Sequence, residues 1–161
     1  MIYYLLIISL LIGEPETQEE YIQKHLFKAK ILEILTGIPT SLQLAQSLVE
    51  TGGGQSYIAK HSNNHFGIKY FPGAKSFTQT FFIDRRQVKW RSYVNTWHSY
   101  IDHALFLCNH YPQLRYQSVT TCNQLKGYGG KANYWPYIHS LIHRKKLNQY
   151  DTDWNRSSIQ R

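Results

Sequence analysis

One carboxylate in this sequence, Glu50, stands where a side chain could do proton chemistry. It ends the segment SLQLAQSLVE and is followed by the glycine run Gly52 to Gly54. The C-terminal end of a helix carries partial negative charge, so a carboxyl group there holds its proton more tightly. Glycines beside it remove side chains and let a ligand approach closely. The simpler interpretation is a solvated glutamate next to a glycine that caps the helix.

The helix that must position Glu50 is predicted from the residues that precede it. Pro39 suits a first helical turn, and at about 100° per residue the segment has one apolar arc and one polar arc. Glu50 therefore lies on the polar side of the last turn of a helix packed on the core. The apolar arc holds Leu42, Leu44, Ala45, Leu48 and Val49, and the polar arc holds Gln43, Gln46, Ser47 and Glu50.

Length and composition indicate one folded domain. The chain has 161 residues, of which 42% are hydrophobic and 17% charged, too few charges for a disordered protein. We expect the domain to span residues 17–151, with an apolar segment at 1–13 and a polar, fraying tail at 152–161. The run IYYLLIISLLI (2–12) is too short to span a membrane but has the length of the apolar part of an export signal. We expect export to the periplasm or the cell exterior; a buried terminal strand or helix is the alternative.

The positive charge is concentrated in the middle of the chain. The net charge is +8, and residues 51–150 alone carry 13 Lys and Arg against two Asp. Such a body is attracted to polyanions: nucleic acid, an anionic membrane surface or bacterial envelope polymers. Without a dense basic run or an RNA-binding signature, nucleic acid is not the expected partner.

The two cysteines and eight histidines show no metal-binding spacing, so we expect neither a metal nor a cofactor. Cys108 and Cys122 either form a disulfide in an exported protein or stay as buried thiols.

The remaining elements are predicted as helices around a small β-lobe. Thr17 and Glu20 form a capping box for a helix at 18–35, which Gly37 ends. Thr96 is expected to cap a helix at 97–108. The segments FGIKYF, SFTQTFFI and QVKWRSYV predict a small antiparallel sheet. Further helices are expected at 56–61, 118–125 and 133–147.

Taken in order, the motifs resemble one known family. The segments IPTSLQLAQSLVETGGGQS, NNHFGIK, WRSYVNTWHSYIDHALFL, GYGGKANYWPYIHSLI and LNQYD resemble the glucosaminidase domains of glycoside hydrolase family 73. The resemblance covers about residues 21–151 and is closest to the single-domain forms of bacteria related to Bacteroides. It implies a mainly α (α+β) lysozyme-like domain with a small antiparallel β-lobe beside an active-site cleft, which agrees with the elements predicted above.

The resemblance also implies roles for individual residues. Glu50 matches the catalytic general acid, and Tyr128 matches a tyrosine expected near the cleaved bond. Trp90 and Arg91 stand where the family usually has Phe and Arg, and Asp102 with His103 matches a motif of the following helix. The residues expected to bind substrate are Asn64, Phe66, Gly67 and Tyr134.

The sequence does not decide which group acts as the second carboxylate of the reaction. Family members often place one in the β-lobe, and between Phe66 and Tyr93 the only acid is Asp84. Asp84 is either a catalytic group or a turn residue beside two arginines. If it does not act, the N-acetyl group of the substrate can attack the anomeric carbon. We expect inversion or such substrate assistance rather than a covalent enzyme intermediate.

The function implied is that of a monomeric peptidoglycan hydrolase, an endo-β-N-acetylglucosaminidase that acts on glycan strands. The alternatives are a muramidase, which cuts the other β-1,4 bond of the strand, and a non-catalytic glycan-binding protein.

Overall fold

The structure is a computed structural model that describes residues 16–73, 80–118 and 133–154. Within these ranges helices dominate and a small antiparallel hairpin interrupts them. The elements are α1 (Gln18–Thr36), α2 (Thr40–Thr51), α3 (Tyr57–Ser62), β1 (Phe81–Ile83), β2 (Lys89–Arg91), α4 (Thr96–His110) and α5 (Tyr134–Arg144), with 3₁₀ helices at Pro112–Leu114 and Leu147–Tyr150.

Helix α1 begins and ends as its sequence predicts. The Thr17 hydroxyl accepts a hydrogen bond from the Glu20 amide at 3.2 Å, and the Glu20 carboxylate accepts one from the Thr17 amide at 2.8 Å. This capping box satisfies two amides that the helix itself leaves without acceptors. Gly37 ends the helix in the left-handed region, at φ 76°, where a residue without a Cβ is least strained.

Helix α2 is buried on its polar arc as well as on its apolar arc. It packs against α1, α5 and the 3₁₀ helix at Leu147–Tyr150. Because it is enclosed on several sides, its polar side chains form hydrogen bonds within the protein, although the side-chain oxygens of Gln43 and Gln46 have no partner in the part of the chain that the structure describes. The Gln43 amide donates to the Ile38 carbonyl at 2.9 Å, and Ser47 Oγ accepts from the Tyr100 hydroxyl at 2.8 Å. Only the last turn, with Val49 and Glu50, reaches solvent.

The β-lobe is smaller than the three segments predicted. Strands β1 and β2 pair antiparallel, with Phe82 opposite Trp90. The segment FGIKYF contributes only a single bridge, from Lys69 to Trp90, because Gly67 has a φ of 59° and breaks the extended backbone. Residues 74–79 of the segment SFTQTFFI lie outside the described residues.

The boundaries of α4 and α5 differ slightly from the prediction. Asn95, not Thr96, caps α4: its side-chain oxygen accepts from the His98 amide at 3.2 Å. Helix α5 is shorter than 133–147, because the chain turns into the left-handed region at Lys146, with φ 53°. The helix predicted at 118–125 lies outside the described residues except for Ser118, which is not helical.

The helices enclose one hydrophobic core, and the first residues of the predicted tail contact the outside of this body. The Thr152 amide donates to Glu33 at 2.8 Å, and the Trp154 ring packs edge-on against Tyr116 with centroids 5.0 Å apart. Fraying therefore does not begin at residue 152. In the ranges that the structure describes, no helix combines the length and the apolar character that a membrane crossing requires.

Candidate active site

Glu50 lies at the exposed end of α2, in its last turn. Gly52 ends the helix in the left-handed region at φ 57°, and its amide donates to the Val49 carbonyl at 3.3 Å. A Cβ on Gly52 would meet no atom within 4 Å, so the space beside the glutamate is open. The helix therefore fixes the backbone that carries the carboxyl group, and the space beside the group is open. A side chain that must reach a bound ligand needs both.

Tyr134 holds the Glu50 carboxyl group from the side of α5. Its hydroxyl donates to Glu50 Oε1 at 3.0 Å, and the side-chain amide of the buried Gln46 lies 3.5 Å from the same hydroxyl. Gln46 precedes Glu50 by one helical turn, so both side chains point to the same side of α2. Tyr134 is itself buried and belongs to the hydrophobic core, so its ring is held by packing while its hydroxyl reaches the Glu50 carboxyl group.

Gly67 and Trp90 form the opposite side of the site. A Cβ built on Gly67 would lie 3.5 Å from Glu50 Oε2 and 3.9 Å from Trp90 Cζ3. The carboxylate and the indole edge thus flank one point, and that point carries only a hydrogen atom. A side chain at residue 67 would occupy the space between them and would also be strained at φ 59°.

The buried residues Asn64 and Phe66 support this turn from the side of the core. Asn64 is 2% exposed, and its amide nitrogen donates to the Ile68 and Arg91 carbonyls at 2.9 and 3.0 Å. The Phe66 ring is buried and stacks on His103 with centroids 3.7 Å apart. Both residues are expected from the sequence to bind substrate, and the structure buries both side chains.

A buried ion pair joins the β-lobe to α4. Asp102 Oδ2 accepts from Arg91 Nη1 at 2.5 Å and from the Tyr93 hydroxyl at 2.6 Å. Burial raises the pKa of Tyr93, and the neighbouring Asp102 adds to the rise, so the phenol stays protonated and donates. This triad fixes the strand that carries Trp90. Arg91 and Tyr93 belong to the W-R-S-Y motif and Asp102 belongs to the D-H motif, so the two motifs are joined by these hydrogen bonds.

Asp84 belongs to the loop between β1 and β2. Its Oδ1 accepts from the backbone amides of Arg86 and Val88 at 2.9 and 3.0 Å, and its Oδ2 accepts from Trp90 Nε1 at 3.0 Å. Arg86 adds an ion pair at 3.3 Å. Desolvation alone would raise the pKa of Asp84, but these hydrogen bonds together lower it below its ordinary value. The carboxylate is thus tied into the loop, which favours the turn residue among its two predicted roles.

A hollow of about 400 Å³ lies between α3 and this loop. Its wall includes Asp84, Arg85 and the half-exposed ring of Tyr57. No ion pair of Arg85 is formed with any residue in the described ranges.

Two predicted residues cannot be placed. Tyr128, expected near the cleaved bond, lies outside the described residues, and so does Cys122. Cys108 is a free thiol whose sulfur lies 3.8 Å from the Thr36 carbonyl oxygen. Within the described ranges, no three His, Cys, Asp or Glu side chains come together as a metal ion would require.

Comparison with known proteins identifies the family. The family profile of glucosaminidases, described as mannosyl-glycoprotein endo-β-N-acetylglucosaminidase, matches residues 28–147. This chain is a member of the glucosaminidase family. The match includes Glu50, Gly67, Trp90 and Tyr134, the residues that the structure brings together.

Several known proteins are similar to the chain over most of its length. Exo-glucosaminidase LytG of Bacillus subtilis is 26% identical over an alignment of 155 residues, which covers 86% of this chain but only 55% of LytG. The catalytic domain of the autolysin Auto from Listeria monocytogenes superposes with a TM-score of 0.67 at 22% identity, covering 90% of this chain and 93% of that domain. The glycoside hydrolase domain of Salmonella typhimurium FlgJ gives 0.66 at 22% identity, covering 83% and 91%. These similarities confirm the mainly α, lysozyme-like fold with its small β-lobe.

Proposed function

We propose that this glucosaminidase-family chain hydrolyses the glycan strands of peptidoglycan at the β-1,4 bond that follows N-acetylglucosamine. The observation that carries the proposal is the Glu50 carboxyl group, exposed at the end of α2 and held by the Tyr134 hydroxyl at 3.0 Å. Cleavage of a glycosidic bond requires a proton on the leaving oxygen, and an oriented carboxyl group in a groove supplies it. Family membership supports the substrate class.

In the proposed mechanism Glu50 is the general acid. Attack on the anomeric carbon follows one of two predicted routes: a water activated by Asp84, or the N-acetyl group of the substrate positioned with help from Tyr128. The hydrogen bonds that already occupy the Asp84 carboxylate support the second route. The proposed site of action is the periplasm or the cell exterior, where peptidoglycan lies.

The replacement Glu50→Gln tests the proposal, because glutamine keeps the size and the hydrogen bond to Tyr134 but has no acidic proton. We expect loss of peptidoglycan clearing by about a thousandfold, with unchanged thermal unfolding. Gln55→Glu, on an exposed residue of the turn that follows α2, is the control. Substantial lysis by the Glu50→Gln variant would contradict the role of Glu50.

The bond that is cut follows from mass spectrometry of the released fragments. New reducing ends of N-acetylglucosamine are expected; N-acetylmuramic acid ends would mark a muramidase, and no fragments a binding protein. Internal fragments of several disaccharides indicate endo action, whereas single sugars indicate the exo action named for LytG.

A further inference from the structure

We propose that Trp90 is a sugar-stacking side chain next to Glu50, and that Asp84 is the positioning residue that fixes its indole ring. The proposal rests on the glycan-cleaving function proposed above and extends it to the β-lobe side of the groove. It assigns a role to Asp84, the one carboxylate of the described lobe, for which the sequence allows either a catalytic role or a turn role.

Trp90 lies where a sugar bound at Glu50 would meet it. Its Cζ3 atom and Glu50 Oε2 lie 3.9 and 3.5 Å from the same point, the position of a Cβ on Gly67. The side chain is only half-buried, so part of it is accessible to a ligand. The C–H face of a pyranose is apolar and slightly positive, and it matches the negative face of an aromatic ring.

A charged neighbour of the ring leaves room for this contact. The Lys69 ammonium lies 6.0 Å from the Trp90 ring centroid, at the outer limit of a cation–π interaction. Because Lys69 is exposed, a ligand can displace it at little cost.

Asp84 controls the orientation of the ring through one hydrogen bond. Its Oδ2 accepts from Trp90 Nε1 at 3.0 Å, from the far side of the hairpin loop. Its Oδ1 accepts from the Arg86 and Val88 amides, and these bonds fix the carboxylate itself. A carboxylate has about four lone-pair sites, and the three N–H groups with the Arg86 guanidinium use them. A water-activating base would need one of those sites free.

The variant Asp84→Asn separates these tasks. The asparagine oxygen can still accept from the Arg86 and Val88 amides, whereas its NH₂ group cannot accept from Trp90 Nε1. The loop is therefore kept while the ring loses its anchor. Trp90→Ala removes the stacking surface, and the milder Trp90→Phe serves if the alanine variant does not fold. Trp97→Ala, on α4 against Phe27 of α1, is the matched control.

Steady-state kinetics on soluble glycan strands distinguish the two roles of Asp84. We expect Asp84→Asn to raise KM about tenfold, with kcat changed less than about threefold, and to have no further effect in the Trp90→Ala background. A hundredfold fall in kcat that persists without Trp90 would overturn the proposal. So would rescue of Asp84→Ala by azide, which replaces a lost base.

Binding to the Glu50→Gln variant tests the inference without turnover. Calorimetry with a tetrasaccharide of alternating N-acetylglucosamine and N-acetylmuramic acid is expected to show about tenfold weaker binding when Trp90→Ala or Asp84→Asn is added. Unchanged affinity in both would overturn the inference. Lysis by the Glu50→Gln variant would instead contradict the proposed catalyst and leave this result standing.

The indole N–H resonances give an independent readout. In a ¹H–¹⁵N spectrum we expect the Trp90 cross-peak to move upfield in Asp84→Asn, while those of the other three tryptophans stay in place. An unshifted Trp90 resonance would show that the hydrogen bond is not formed and would overturn the role of Asp84.

Discussion

The structure changes the interpretation of Tyr134 more than that of any other residue of the site. The resemblance to family 73 implies contact with substrate, whereas the structure buries the ring and gives its hydroxyl to Glu50 Oε1 at 3.0 Å. A hydrogen bond to one carboxyl oxygen restricts the rotation of the group and leaves the other oxygen directed toward Gly67. Tyr134 is thus proposed to orient the acid rather than to bind the sugar.

The variant Tyr134→Phe is expected to lower kcat about tenfold with little change in KM, because the lost hydroxyl contacts the acid and not the ligand. Steady-state kinetics on soluble glycan strands give both constants. Tyr137→Phe, one turn along α5 and 51% exposed, is the control. A rise in KM at constant kcat would restore the substrate-binding role.

At the scale of elements, the helix that carries Glu50 is fixed at both ends. Gly52 ends it beside the glutamate, and Asp151 anchors its beginning. The two carboxylate oxygens of Asp151 accept from the Ser41 amide and the Ser41 hydroxyl, each at 2.7 Å. Burial raises the pKa of Asp151 to about 6, although the bonds from Ser41 oppose the rise. The LNQYD motif therefore has a structural explanation: its last residue positions α2.

The pKa of Asp151 predicts how stability depends on pH. The folded protein holds this proton up to about pH 6, the unfolded chain only to about pH 4. Folding therefore takes up a proton between these values, and this contribution to the free energy of unfolding falls as pH rises. Asp151→Asn removes it, so the stability of the wild type relative to Asp151→Asn should drop by about 2 kcal/mol from pH 4 to pH 7.

Urea unfolding of both proteins at several pH values measures that difference. Comparison with Asp151→Asn cancels other groups that titrate in the same window, among them the buried His25 and His65, whose pKa values burial lowers to about 3 and about 4. Asp153→Asn, on an exposed residue, is the control. A difference that stays constant with pH would contradict the prediction.

Positive charge is unevenly distributed along the chain. The sequence between residues 51 and 150 carries 13 Lys and Arg against two Asp, and the Asp84 and Asp102 carboxylates are both paired with arginines. The substrate proposed above, peptidoglycan, carries free carboxylates on its stem peptides, which would attract this excess positive charge. A long-range attraction of this kind accelerates encounter and is screened by salt.

The rate of lysis of purified peptidoglycan is therefore expected to fall at least about threefold when NaCl is raised from about 50 to about 300 mM. Turbidity assays measure the rate, and thermal unfolding at both salt concentrations controls for stability. An uncharged soluble glycan, assayed in parallel, should show a much weaker response. A flat response on whole peptidoglycan would exclude electrostatic docking.

Local sequence signals determined much of this fold because the interactions concerned are local. The capping box of Thr17 and Glu20, the stop at Gly37 and the glycine break after Glu50 each join residues a few positions apart. They placed α1 and α2 to within about one residue. Family motifs then pointed to Glu50 as the acid and predicted the lysozyme-like fold, which the comparisons confirm.

Tertiary structure alone decided which polar residues face the groove. Periodicity separates two arcs of α2 but does not show that neighbouring helices cover both, so the burial of Gln43, Gln46 and Ser47 was not predictable. Glu50 and Tyr134, which form a hydrogen bond in the site, lie 84 positions apart in the sequence. Asp84 and Trp90, which also form a hydrogen bond, lie six positions apart across a hairpin loop. Such contacts depend on how the elements pack, which is why the roles proposed for Tyr134 and Asp84 emerged only from the structure.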